Sequence, residues 1–132
     1  MPALPSVRRA ASLALIFLLV EFFDELHYGL SGAALPVIRQ DLGLTYAQVG
    51  MLLGLPKISA TLIEPAIMLL GDSTWRKHLV IGGGLAVVLA VLLTASSTAF
   101  LPLLIAFFIG FPASGAFVTL SQATLMDLNT GR

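Results

Sequence analysis

Residues 20–35 read VEFFDELHYGLSGAAL, and they place ionisable side chains inside an otherwise apolar segment that extends from residue 10 to residue 38. The ionisable residues of this stretch are Glu21, Asp24, Glu25 and His27. At about 100° per residue in an α-helix, they share one face with Tyr28 and Ser31. The opposite face is apolar and consists of Phe22, Phe23, Leu26, Leu30 and Ala33. The stretch therefore predicts a helix with one polar and one apolar side.

If this helix crosses a membrane, its polar side must be kept out of contact with lipid. A charged side chain that faces lipid near the middle of a bilayer costs about 2.5–3.5 kcal/mol. We therefore expect the ionisable residues to face the interior of a helix bundle, a water-filled cavity, or one another in partly protonated form. The alternative is that one or two of them only mark a helix end near the lipid headgroups.

The composition of the chain indicates a membrane protein. The 132 residues are 58% hydrophobic and only 11% charged, whereas a soluble domain is about 25% charged. The formal net charge is zero, so nucleic acid is not an expected partner. The chain contains no cysteine, which excludes disulfide frameworks, thiolate metal sites and cysteine nucleophiles.

The apolar segments predict an all-α, polytopic fold, because one membrane span needs about 20 residues. Four transmembrane helices are expected in a single membrane domain, over residues 10–38, 46–70, 79–95 and 100–126. The first is longer than a span requires, so we expect it to be tilted, or broken near Gly29, Gly32 and Pro36. It follows a pair of arginines, as in a secretory signal, but no cleavage site closes it, and a retained helix is expected.

Local patterns refine the helix ends and contacts. Thr45 followed by Gln48 is typical of a capping box at the start of the second helix. The glycines at residues 82–84 would allow another helix to approach the third segment closely. Small residues at 110–115, including Ser114, predict a packing seam in the fourth.

The second segment carries Lys57 near its middle and Glu64 seven residues later. Antiparallel neighbouring helices would place Lys57 at a depth similar to that of Asp24. A carboxylate–ammonium pair would relieve the desolvation of both groups, so we expect Lys57 to face the acidic residues of the first helix. The alternative is that Lys57 snorkels to the membrane interface.

Basic residues predict the orientation through the positive-inside rule. Those on one side of the predicted spans are Arg8, Arg9, Arg76, Lys77 and Arg132. Arg39 alone falls on the other side. We therefore expect a multi-pass protein of the cell (inner or plasma) membrane, with the N-terminus, the C-terminus and the turn between the second and third helices in the cytoplasm.

Three features together resemble the N-terminal part of a major facilitator superfamily transporter. They are the acidic first helix ending in Leu35-Pro36, the segment LTYAQVG at residues 44–50, and Asp72-x-x-x-Arg76-Lys77 in the cytoplasmic turn. The LTYAQVG segment is most similar to the fosmidomycin-resistance-like efflux group. Family members have two six-helix halves, each built from inverted repeats. The resemblance therefore implies that this chain is a fragment or truncated form, with the remaining helices of the transporter missing.

The family's motif in this turn is Gly-x-x-x-Asp-Arg-x-Gly-Arg-Arg/Lys. Asp72, Arg76 and Lys77 match it. The departures from the motif are Met68, Ser73 and Trp75, which replace a glycine, an arginine and a glycine. The resemblance implies that this turn steadies the inward-closed state through charge contacts. The alternative is that its basic residues only set the topology.

The resemblance implies proton-coupled efflux of a small molecule. This chemistry needs a carboxylate that changes protonation, and burial disfavours its charged form whereas a nearby ammonium favours it. Asp24 and Glu21 are the expected proton or cation sites. The remaining candidates are Glu25, His27 and Tyr28 as cavity-lining residues, Lys57 as counter-charge, and Glu64 in the cytoplasmic half of the cavity.

Two other functions remain open. A complete four-helix exporter working as a dimer would be similar in plan to the small multidrug resistance family, which also has a membrane-embedded Glu in its first helix. A non-transporting membrane subunit would show no flux. We do not expect an enzyme, a cofactor or a metal site, because His27 and His78 lie in different segments and no serine has a nucleophile context.

Overall fold

The computed structural model describes residues 7–130, with side-chain positions within residues 11–128. Over this range the chain forms four α-helices: α1 (Val7–Asp41), α2 (Tyr46–Gly71), α3 (Arg76–Ser96) and α4 (Phe100–Thr130). The all-helical prediction is confirmed, and each predicted segment overlaps one helix. The side chains of Arg8 and Arg9, and all of Arg132, which entered the orientation argument, lie outside the described part.

The first helix is continuous, so the expected break near its glycines and Pro36 does not occur. Pro36 lies inside α1, which extends to Asp41. The chain then reverses at Gly43, whose φ of 61° is a left-handed conformation that favours glycine. The Leu44 amide donates to the carbonyl of Arg39 at 2.9 Å and closes the turn.

The capping box at the start of α2 is confirmed. The Gln48 amide donates to Thr45 Oγ1 at 3.2 Å, and the Thr45 amide donates to Gln48 Oε1 at 2.9 Å. Each side chain thus satisfies a backbone N–H group that has no partner within the helix.

The turn between α2 and α3 is shorter than predicted. The third helix begins at Arg76 rather than at residue 79, so Arg76 and Lys77 occupy its first turn. Both side chains therefore project from a helix end, and their positions are fixed by that helix.

The central element of the fold is α4, which packs against each of the other helices, whereas α1 packs chiefly on α4. A buried cluster joins the α1–α2 turn to the beginning of α4 and consists of Leu35, Leu44, Leu52, Leu103 and Phe107. Further along α4 the buried side chains are mostly small, including Ala106 and Ala116. Small side chains let the backbones of neighbouring helices approach closely. In a membrane, where no hydrophobic effect drives helices together, such close packing stabilises their association.

The close approach predicted for the glycines of the third helix is confirmed at two of three positions. A Cβ at Gly84 would lie 3.2 Å from the ring of Phe117, and a Cβ at Gly83 would lie 3.4 Å from the carbonyl oxygen of Ala113. Gly82 faces open space. On the same interface, a Cβ at Gly110 of α4 would lie 3.1 Å from the Cβ of Ala90 in α3.

Among the described residues, three helices are long and apolar enough to cross a membrane: α2, α3 and the Phe100–Leu128 part of α4. The predicted span in the first helix is not confirmed, because Glu21, Asp24 and Glu25 interrupt its apolar sequence. Together with outward-facing residues such as Leu62 and Leu69, the three apolar helices indicate a membrane protein.

Candidate functional site

A cavity of about 280 Å³ lies against α4, chiefly on the side of α1. Its polar lining residues are Asp24, His27, Tyr28 and Ser31 from α1, Thr94 from α3 and Ser114 from α4. The rest of the wall is mainly apolar and includes Phe107 and Phe111. The cavity therefore places several groups able to donate, accept or carry a proton beside aromatic rings.

Asp24 is the carboxylate of this cavity. Its side chain is half-buried, and the Ser114 hydroxyl donates a hydrogen bond to Asp24 Oδ1. The bond joins the middle of α1 to the middle of α4. The cluster of Leu52 and Leu103 lies nearer the beginning of α4. The expectation that Asp24 faces the interior of a helix assembly agrees with this position.

One turn earlier in α1, Glu21 also contacts α4. Glu21 Oε1 accepts a hydrogen bond from the side-chain amide of Gln122. One turn later, the ring of Tyr28 packs edge-on against Phe111 with centroids 6.2 Å apart. Polar and aromatic contacts at Glu21, Asp24 and Tyr28 thus hold one side of α1 against α4.

Glu25 is not among the residues that line this cavity, so the structure does not bring it together with the other cavity-lining candidates. Its side chain is exposed, and so are those of Phe22 and Phe23. The reason is helical geometry: Glu25 is displaced by about 100° from Asp24 around the helix axis. When Asp24 points at α4, Glu25 lies on the flank of α1.

Lys57 does not pair with the acidic residues within the described part of the chain. Its side chain is exposed, and the ion pairs found within the described residues both involve Arg76. The physical reason is the central position of α4, which packs against both α1 and α2. The helices α1 and α2 are therefore not neighbours at this depth, and the role of Lys57 as a counter-charge stays a prediction.

Glu64 lies level with Asp24, on another side of α4. A Cβ at Gly115 would collide with the Glu64 carboxylate, and Gly115 follows directly after Ser114, the partner of Asp24. Glu64 is half-buried but is not among the residues that line the cavity. The prediction placed Glu64 in the cytoplasmic half of the cavity. In the structure its carboxylate packs against Gly115, a residue of the cavity wall.

The charged turn forms a network centred on Arg76. Its guanidinium donates to Asp127 near the end of α4, to Asp72 at 3.3 Å and to the carbonyl oxygen of Gly71 at 2.6 Å. The structure thus brings two of the predicted motif residues, Asp72 and Arg76, together. The third, Lys77, is exposed.

Sequence reasoning missed Ser114, Gln122 and Asp127 as partners of the predicted acids and arginine. A signal for the first two was present, because hydrogen-bonding side chains are sparse in the apolar sequence of α4. Several other serines and threonines share that helix, and the hydropathy pattern does not distinguish among them. Asp127 gave no local signal, since its partner is 51 residues away in the chain.

No cluster of three or more His, Cys, Asp or Glu side chains able to hold a metal ion occurs within the described residues. Comparisons with models of protein families, with curated proteins and with solved structures give no match to this chain. The features of the chain that bear on its function are therefore the cavity and the Arg76 network.

Proposed function

We propose that the protein is a secondary active transporter, or a portion of one, that exports a small molecule in exchange for protons. The observation that carries this proposal is the position of Asp24. It is a half-buried carboxylate near the middle of a long, largely apolar helix, and it lines a cavity of about 280 Å³. Charged residues within membrane helices are expensive and mark substrate, ion or proton pathways.

The hydrogen bond from Ser114 fits a group that changes protonation. A serine hydroxyl has one donor and two acceptor sites. The Ser114 hydroxyl donates to Asp24 Oδ1 in this structure. A hydroxyl can donate to a carboxylate, and after a rotation it can accept from a carboxylic acid. Asp24 then keeps its partner on α4 in both protonation states, so proton uptake and release do not break this contact between helices.

His27 offers a second titratable group in the same cavity. Histidine is the side chain whose ordinary pKa lies closest to physiological pH, and it serves widely as a proton shuttle. His27 follows Asp24 by three residues and so lies on the same side of α1. The cavity therefore holds two side chains that can exchange protons with a bound molecule or with water, Asp24 and His27.

The resemblance to the N-terminal bundle of the major facilitator superfamily remains our preferred interpretation. The contact of Arg76 with Asp127 and Asp72 supports it, because it ties the α2–α3 turn to the end of α4. In this proposal the remaining helices of the transporter cover the exposed Glu25 and Lys57. The protein then lies in the inner or plasma membrane, with both termini and the α2–α3 turn on the cytoplasmic side.

A second candidate is a compact dimeric exporter, and the exposed charges of α1 and α2 favour it. Glu25 and Lys57 are opposite in sign, and both side chains are exposed in the four-helix assembly. Facing lipid, each would cost about 2.5–3.5 kcal/mol. A second copy of the chain could pair them across a two-fold axis. Cross-linking in native membranes separates the two candidates, since a specific homodimer that transports favours the compact exporter.

Reconstitution into proteoliposomes tests the transport proposal. A pH-sensitive dye inside the vesicles reports proton flux when candidate compounds are added. We expect Asp24→Asn to abolish substrate-driven proton flux. Asp41→Asn is the matched control: it makes the same change on the same helix, at an exposed residue outside the cavity. Flux through Asp24→Asn equal to that of the unmodified protein would remove Asp24 from the mechanism, and no flux from any variant would favour a non-transporting subunit.

A further inference from the structure

We propose that the cavity beside Asp24 binds a small organic cation that carries one aromatic ring. This inference rests on the proposed function in one respect: the cavity is taken to be the place where the transported molecule binds. The charge, the aromatic residues and the volume of the cavity each contribute to it.

The charge of the lining residues favours a cation. Asp24 is the carboxylate among them, and no lysine or arginine occurs among the described residues that line the cavity. Lys57 is exposed and does not line the cavity, and Arg39 lies over the ring of Tyr46 at 3.9 Å from its centroid. A cleft with charge of one sign and low-dielectric walls concentrates ligands of the opposite sign. An anion would meet Asp24 without a lysine or arginine to pair with.

The aromatic residues favour the same ligand class. Phe111 stands between two other rings of the cavity wall, with its centroid 6.2 Å from that of Tyr28 and 5.9 Å from that of Phe107. The face of an aromatic ring attracts a cation that lies within about 6 Å of its centroid. Alkylammonium groups gain most from such contacts because they are weakly hydrated, and an aromatic substituent can pack against the remaining rings.

The volume limits the size of the ligand. The cavity volume of about 280 Å³ lies just below the range for small-molecule pockets, which is about 300–1,000 Å³. A ligand with one ring and one quaternary ammonium group is compatible with this space. The Ser114 hydroxyl already occupies Asp24 Oδ1, so the ligand's positive group would approach the remaining part of the carboxylate that faces the cavity.

Equilibrium dialysis of the purified protein in a non-ionic detergent tests this proposal. The probe is radiolabelled benzyltrimethylammonium. The competitor is phenylmethanesulfonate, which has a similar aromatic frame and the opposite charge. Measurements at about pH 8 keep an ordinary imidazole neutral. We expect saturable binding of the cation that the sulfonate does not displace.

Two pairs of variants locate the bound probe. Asp24→Asn should weaken binding by about tenfold or more, whereas Asp41→Asn should change it by less than about twofold. Phe111→Leu should weaken binding about two- to fivefold through loss of the ring face. Its matched control is Phe108→Leu, because Phe108 is exposed on α4 and does not line the cavity.

Failure of the inference is distinguishable from failure of the transport proposal. Absence of saturable cation binding, tighter binding of the sulfonate, or an Asp24→Asn variant that binds as well as the unmodified protein would overturn the ligand class. Proton flux driven by other compounds would then leave transport standing. Conversely, Asp24-dependent cation binding without any proton flux would support the binding site and overturn its role in transport.

Discussion

Replacement of Gly110 by alanine tests the packing of α3 on α4. In the structure, a Cβ at Gly110 would lie 3.1 Å from the Cβ of Ala90. Carbon atoms in favourable contact are about 3.5–4.0 Å apart. Neither methyl group has a rotatable bond that moves it aside, so the two helices must separate by about 0.4–0.9 Å, the difference between these distances.

The expected loss follows from two opposing terms. Gly110→Ala gains about 1 kcal/mol from the better helix propensity of alanine. Overpacking of a close contact costs about 1–3 kcal/mol. The free energy of unfolding should therefore fall by about 0–2 kcal/mol relative to the unmodified protein. Gly82→Ala, which meets no atom within 4 Å, should only gain the propensity term.

A swap of the methyl group isolates the contact. Ala90→Gly combined with Gly110→Ala moves one methyl group from α3 to α4, so the propensity terms cancel and the close approach is relieved. We expect the double variant to regain the stability of the unmodified protein to within about 0.5 kcal/mol. The measurement is denaturant-induced loss of helical circular dichroism in micelles. A double variant that stays more than about 0.5 kcal/mol below the unmodified protein, or a Gly110→Ala variant as stable as Gly82→Ala, would refute the reasoning.

Three further variants test the other contacts. Ser114→Ala removes the donor to Asp24 and should lower the free energy of unfolding by about 1 kcal/mol, read in the same micelle assay; no loss in stability would contradict the hydrogen bond. Arg76→Gln should cost about 0.2–1 kcal/mol through its contact with Asp127, which is partly exposed. That cost should shrink in about 1 M salt, where the Debye length is about 3 Å, and a salt-independent cost would argue against an ion pair. Thr45→Ala removes the cap of α2 and should cost about 0.5–2 kcal/mol, with faster hydrogen exchange confined to the first turn of α2; exchange that is unchanged there would refute the role of the cap.

Local features of the fold were predictable from the sequence. The apolar segments located all four helices, and the Thr45–Gln48 pair located the start of α2 within one residue. The polar side of α1 was also predictable, because the spacing of Asp24, His27 and Ser31 fixes their relative directions around a helix. All of these features depend on hydrogen bonds and side-chain directions within about one turn of the chain.

The partners of those side chains were not predictable. The pairing expected of Lys57 assumed that helices adjacent in the chain are adjacent in space, whereas α4 packs against both α1 and α2 in this structure. Glu25 and Asp24 are neighbours with the same charge, and their different environments follow only from the direction in which α1 meets α4. Ser114 became the partner of Asp24 through a hydrogen bond that spans 90 residues of chain.

The sequence by itself determined that the protein is helical, that much of it is apolar enough to cross a membrane, and that one helix carries acids in an apolar setting. The tertiary structure decided which of those acids borders a cavity and which faces outward. The physical reason is that helix formation and transfer into an apolar phase depend on each segment separately. The arrangement of helices depends on close contacts such as Gly110 with Ala90 and Gly84 with Phe117. Each such contact is weak, and only their sum over the whole assembly places α4 at its centre.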